Sequence, residues 1–195
     1  PRLSDFRKLH PEIEVRIVTS QTQPDYTAQQ NDISIIFAKG KPNKYRSHLV
    51  SIGHVFPVCS PALLAQNAPI DGLQQLASLP LLKLADVAGN GWLNWRGFFN
   101  QLPNQAPSQL SNQVIPSEPV LTFNNYTLLV QAAIAGQGVG IGWGTLVDDL
   151  VDNGMLVALK SFSIVSDWDY YLVETNTNDS LLAKQHFVAW LLSCV

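Results

Sequence analysis

Between positions 126 and 159 the chain reads YTLLVQAAIAGQGVGIGWGTLVDDLVDNGMLVAL, and its hydrophobic spacing changes along the way. Leu128, Leu129, Ala132, Ala133 and Ala135 recur at helical spacing. Gly136 ends that helix, because glycine takes a left-handed C-terminal cap at little cost. Val139 and Ile141 then alternate with Gly138, Gly140 and Gly142, the period of a strand. Its glycine face carries almost no side chains, so a packed helix or a ligand must approach it closely. A second helix and a last strand complete the segment.

The same reading places further elements on both sides. Leu3, Phe6 and Leu9 mark a short helix ending near His10-Pro11, and Ile13, Val15 and Ile17 alternate with charged residues as in a half-wet strand. The stretch 19–31 is polar, and the apolar run from Ile33 to Phe37 reads as a buried strand. Two strands with a turn near Gly53-His54 are expected between Leu49 and Cys59. Ser60 and Pro61 then suit the N-cap and first position of a helix. Leu73, Leu76 and Leu79 predict another short helix, and 80–84 a strand. Trp92, Trp95 and Phe99 share one face of a predicted helix. Residues 101–119 read as mostly loop, 120–123 as a strand, 169–174 as a strand and 181–192 as a closing amphipathic helix. Alternation of strands and helices argues for an α/β fold with a largely parallel or mixed sheet. Residues 1–60 with 163–195 read as one lobe and 61–162 as a second.

Composition narrows the function. Only 14% of the 195 residues are charged, 46% are hydrophobic, and the net charge is -3. No basic patch suited to gripping DNA is visible. No apolar run approaches the roughly 20 residues of a membrane helix. Two distant cysteines, Cys59 and Cys194, do not form a disulfide framework and fit a reducing cytoplasm. The glycines at 136–144 satisfy neither the dinucleotide-binding fingerprint nor a phosphate-binding loop, and no nucleophile elbow or zinc-protease motif occurs. His10, His48, His54 and His186 are scattered. No catalytic residue, metal site or cofactor is expected. Cys59 reads as a buried strand thiol rather than a redox sensor. Asp148, Asp149 and Asp152 read as solvated charge on one helix.

Taken in order, RLSDFRKLHPEIEVRI, DISIIFAKG, VFPVCSPALLA, LPLLKL, the W-x-x-W of Trp92 and Trp95, and LLVQAAIAGQGVGIGWGTLVDDLVDNGMLVAL resemble the effector-binding domain of LysR-type transcriptional regulators. VCSPALL, W-x-x-W and QAAIAGQGVGIG are most similar to the glycine-cleavage-activator branch. The resemblance implies a two-lobed, periplasmic-binding-protein-like (type II) α/β fold with a small-molecule effector in a cleft between lobes. It implies homodimers or homotetramers, with the first helix and the strand after it as dimer surface. It implies a cytoplasmic location and DNA contact only through a winged helix-turn-helix upstream, so the chain reads as a piece of a longer protein. The family's domain opens with a strand and a Ser/Thr-rich loop, whereas this sequence opens at the helix. The alternative is a solute-binding protein of a transport system with the same fold.

The resemblance also marks candidate ligand contacts. Ser60, Pro61, Asn124, Asn125 and Tyr126 begin helices, where free N–H groups and the helix dipole favour anions; plain capping would use the same residue types. Phe37 and Ala38 end a strand that lines the pocket in the family, though ordinary core suits them equally. Trp143 either walls the pocket or packs between lobes. Phe37, Tyr126, Trp143 and the W-x-x-W helix together suggest aromatic faces for a cationic effector, although a tryptophan stripe is more often core.

Overall fold

A computed structural model describes residues 3–19, 32–85, 91–102, 119–175 and 181–194. The elements in chain order are α1 (Leu3–Leu9), β1 (Ile33–Lys39), β2 (Arg46–Ser51), β3 (His54–Cys59), α2 (Pro61–Asn67), α3 (Leu73–Ser78), β4 (Leu82–Leu84), α4 (Trp95–Gln101), β5 (Leu121–Phe123), α5 (Tyr126–Ile134), β6 (Gly140–Trp143), α6 (Gly144–Asp152), β7 (Val157–Ala158), β8 (Ile164–Val165), β9 (Trp168–Glu174) and α7 (Leu182–Ser193). They form two compact units, 1–52 with 168–195, and 53–167. These boundaries differ by several residues from 60 and 163 because β3 pairs with β6, β7 and β8, all in the second unit.

In the first unit β9 lies between β1 and β2, antiparallel to both. Leu172 and Val173 are wholly buried on β9. Phe6 anchors α1: it is fully buried and meets Phe187 of α7 edge-on at 5.0 Å and Trp190 at 5.2 Å. Below that cluster the His10 and His186 Nδ1 atoms lie 3.1 Å apart. Three readings change here. Residues 13–18 form no strand among the described residues, and Ile17 and Val18 are exposed. The Ile33–Phe37 run is half-exposed rather than buried, with Ile35 in solvent. In α7 the most buried side chain is Lys184, while Phe187, Val188, Trp190, Leu191 and Leu192 are half-buried and Leu182 is exposed.

Among the described residues the second unit holds two small sheets. In one, β3 pairs antiparallel with β6, β7 and β8. In the other, β4 and β5 pair in parallel, Leu82 opposite Leu121. A parallel bridge from Leu81 to Val139 joins them. Antiparallel pairing therefore predominates among the described strands beside one parallel pair and one parallel bridge, so of the two alternatives the mixed one holds. The core gathers Phe56, Val58, Leu82, Leu129, Val130, Ala132, Ala133, Val147 and Leu156. Gly136 ends α5 at φ +76°, with Gly136 N–H donating to Ala133 and Gln137 N–H to Ala132, as its sequence position implies.

The glycine face of β6 is filled by protein. A Cβ at Gly140 would meet Leu129 at 2.7 Å; one at Gly142 would meet Val58 at 2.7 Å and Val147 at 3.2 Å. Helices α5 and α6 therefore pack onto that face, and the ligand alternative for it falls away. No helix among the described residues is long and apolar enough to cross a membrane. The stretch 20–31 and the loop read at 103–118 lie outside the described residues.

Candidate functional site

Asn125 starts the helix beside one candidate site. Its backbone is extended and its Oδ1 accepts the Leu128 N–H at 3.2 Å, so α5 starts at Tyr126. Asn124 and Asn125 are exposed and Tyr126 is half-buried. The Trp143 N–H donates to the Tyr126 hydroxyl at 3.1 Å, and that hydroxyl donates to the Ile141 carbonyl at 3.3 Å. The phenol thus ties the start of α5 to the end of β6 and fixes its ring. The Trp92 ring lies 4.9 Å from Tyr126 and 4.9 Å from Trp143, the latter nearly edge-on at 64°. Trp143 is only 1% exposed and forms the back of the cluster, while Trp92 is half-buried at its front.

These three rings, with Lys83, Asn94 and Ile141 among their neighbours, line a shallow surface pocket. It sits where parallel strands β4 and β5 end, the side of an α/β sheet on which ligands bind. The predicted Trp92–Trp95 stripe is divided. Asn94 caps α4 by accepting the Gly97 N–H at 2.8 Å, so the helix starts at Trp95 and leaves Trp92 outside it. Trp95 is core: it is 4% exposed and its indole N–H donates to the Leu82 carbonyl at 2.9 Å.

Ser60 and Pro61 stand apart from this pocket's lining. Ser60 is buried, and its Oγ accepts the Leu63 N–H at 3.1 Å. Pro61 is exposed at the first position of α2. Ser60 thus caps α2 and Pro61 opens it. Adjacent Cys59 is fully buried, and burial pushes its thiol from 9.0 up to about 11. The folded state therefore holds this proton more tightly than the unfolded chain. The resulting stabilisation is complete below pH 9 and is lost as pH rises toward 11. Thiolate is the reactive form, so Cys59 should be protected at pH 8. Peptide mass spectrometry after iodoacetamide should show half-buried Cys194 modified at least about tenfold faster. Equal rates would contradict this burial.

Phe37 and Ala38 belong to the first unit and are half-buried on β1. The Phe37 ring packs on Tyr170 at 4.8 Å and Trp168 at 5.5 Å. The Tyr170 hydroxyl is buried with no hydrogen-bond partner among the described residues, and burial raises its pKa. A buried orphan hydroxyl is costly and marks a place for a polar partner. Sequence reading missed Tyr170 and Lys83. Tyr170 carried no local signal, since Asp169 and Tyr171 flank it in WDYYLVE and its orphan hydroxyl shows only once β9 is packed; Lys83 had none beyond interrupting LPLLKL. Among the described residues no group of three or more His, Cys, Asp and Glu could hold a metal.

Comparison with known proteins gives a consistent picture. A family model described as the LysR substrate binding domain matches residues 1–193. The chain is 29% identical over 193 residues to the glycine cleavage system transcriptional activator of Escherichia coli K12, covering 99% of this chain and 59% of that protein. It is 22% identical over 192 residues to the transcriptional activator AmpR of Yersinia enterocolitica, covering 98% and 60%. The chain thus spans about three-fifths of the length of these relatives. The AmpR effector binding domain of Citrobacter freundii superposes with a TM-score of 0.71 at 23% identity, covering 100% of this chain and 89% of that one. The CrgA regulatory domain of Neisseria meningitidis gives 0.69 at 19%, covering 99% and 89%. These likenesses show the fold, the two-lobed α/β architecture of the type II periplasmic-binding-protein-like class.

Proposed function

Because this chain belongs to the LysR substrate-binding domain family, we propose that it is the effector-sensing and oligomerisation part of a DNA-binding transcriptional regulator. The observation that carries this reading is the family match across residues 1–193, joined to an aromatic pocket at the ends of β4 and β5. The relatives named above are transcriptional activators, which favours a regulator over a solute carrier and over an enzyme. In this reading the second unit contributes Tyr126 and Trp143 with Trp92, Lys83 and Asn94, and the exposed Asn124 and Asn125 stand beside them. Within the first unit, Phe37 and Ala38 beside Tyr170 are separate candidate ligand contacts. The effector is a small molecule, and the chain assembles as a homodimer or homotetramer in the cytoplasm. Exposed Leu9, Ile17 and Val18 supply apolar surface for that assembly. DNA is bound by a winged helix-turn-helix elsewhere in the full protein.

Sensing requires that the effector bind two states unequally, since equal affinity shifts nothing. Coupling is reciprocal and typically amounts to about 5- to 150-fold. In the full-length regulator, a metabolite that stabilises this chain should change operator affinity by a factor in that range. Fluorescence anisotropy at fixed salt measures it. The same operator affinity with and without saturating metabolite would contradict the proposal.

A further inference from the structure

Two imidazoles from distant parts of the chain meet beside the Phe6 cluster. His10 follows α1 and His186 lies on α7, 176 residues apart in sequence, yet their Nδ1 atoms are 3.1 Å apart and their ring centres 4.5 Å. Helices hold both. The His10 N–H donates to the Phe6 carbonyl at 2.9 Å. Its ring packs 5.0 Å from the ring of fully buried Phe6, which leaves the His10 side chain 23% exposed. Phe6 rests in turn on Phe187 and Trp190 of α7. His186 is exposed, so the paired nitrogens lie at the surface. Glu12 Oε1 lies 3.6 Å from His10 Nδ1 and brings negative charge. Imidazole nitrogens bind a zinc-class ion at about 2.0–2.1 Å. Two such bonds set the nitrogens about 2.9 Å apart at a right angle and about 3.3 Å apart at the tetrahedral angle. The observed separation falls between these values.

We propose that His10 and His186 form a two-histidine site for an exchangeable divalent ion of the zinc, nickel or copper type, bound through both Nδ1 atoms. Whichever ring carries the bridging proton passes it through solvent to its own Nε2, so both rings bind as neutral imidazoles. The lone pairs then turn from each other toward the ion, a rotation that exposed His186 can make. Two protein ligands fall short of the three or four of a resident zinc centre, in keeping with the lack of any three-residue group among the described residues. Water fills the remaining positions, and the ion exchanges with the medium. Nitrogen donors select against magnesium and calcium, which take oxygen ligands. Occupancy fastens the end of α1 to α7, next to exposed Leu9.

Calorimetry of the untagged chain with zinc chloride should show one saturable site in the micromolar range, and magnesium chloride should show none. Loss of an outer-shell partner alone typically costs about 10–100-fold in metal affinity, so His186→Gln and His10→Gln, which remove ligands, should each weaken zinc at least about tenfold. His54→Gln, at an exposed position on β3, should leave zinc binding unchanged. The His10 ring also packs on Phe6, so exposed His186 decides the matter should His10→Gln fail to fold. Nitrogen–proton correlation spectra of the imidazoles should show the Nδ1 signals of His10 and His186 moving together as zinc is added, a response that ring packing alone would not give. Unchanged affinity in His186→Gln, an equal loss in His54→Gln, movement of only one of the two rings, or no saturable binding up to about 1 mM zinc would each overturn the site.

Discussion

Glu174→Ala is expected to destabilise the first unit by about 3–5 kcal/mol, the usual cost of stripping one partner from a buried ion pair. Glu174 is 7% exposed at the end of β9. Its Oε2 meets the Lys184 Nζ at 3.2 Å, and the Lys184 side chain is only 2% exposed. The other oxygen meets His48 Nε2 at 3.3 Å and Arg46 Nε at 3.4 Å. Removing the carboxylate takes this partner from the buried Lys184 ammonium and leaves it beside two further basic groups. The four residues come from β2, β9 and α7, so the contact also pins the closing helix to the sheet. Arg46→Ala should cost no more than about 1 kcal/mol, since Arg46 is 69% exposed. Replacing both buried partners at once, Glu174→Leu with Lys184→Met, should recover most of the loss, because two apolar groups leave no unpaired charge. Urea unfolding of the four proteins reads all of this. A Glu174→Ala variant within about 1 kcal/mol of wild type would show that the pair is not buried as described.

Gly138→Ala should be the most damaging of the glycine substitutions near β6. A Cβ there would lie 2.5 Å from the Pro80 carbonyl oxygen and 2.9 Å from Leu82 Cδ2. That carbonyl already accepts the Val139 N–H at 2.8 Å, and Val139 O accepts the Leu82 N–H at 2.8 Å. Neither backbone can retreat without loosening the bridge that joins the two sheets beside the pocket. Overpacking typically costs about 1–3 kcal/mol, and a backbone obstacle places this case at the top of that range or above. At Gly140 the nearest atom is the end of the Leu129 side chain, which can shift, so Gly140→Ala should cost less. Thermal unfolding of the two variants decides it: equal losses, or a harmless Gly138→Ala, would refute this account of the glycines.

Local chemistry made part of the fold readable. The span of α5 followed from its apolar spacing, its Asn125 cap and its Gly136 stop, all set within a few residues. Ser60 and Pro61 announced α2 in the same way. The Asn94 cap of α4 was equally local and could have separated Trp92 from Trp95, but the aromatic spacing dominated the reading. Strand partners were not local. β1 pairs with β9 more than a hundred residues away, Ile33 opposite Glu174, and nothing in either strand specifies an antiparallel neighbour. The ion group around Glu174 left no trace either, since a lysine in AKQH looks like any solvated helix position until the helix is docked. For the candidate site, Tyr126 and Trp143 were visible as aromatic residues beside strong helix and strand signals. The significance of Lys83 appeared only when β4 was placed next to them.

The central claim is that this chain binds a small molecule, and thermal unfolding against amino acids, betaine-like cations, small carboxylates and aromatic acids tests it most directly. A ligand at about 100 times its dissociation constant adds about 2.7 kcal/mol, or roughly 5–10 °C for a chain of this size. The account predicts such a rise with one class. No rise with any of the four classes would contradict it.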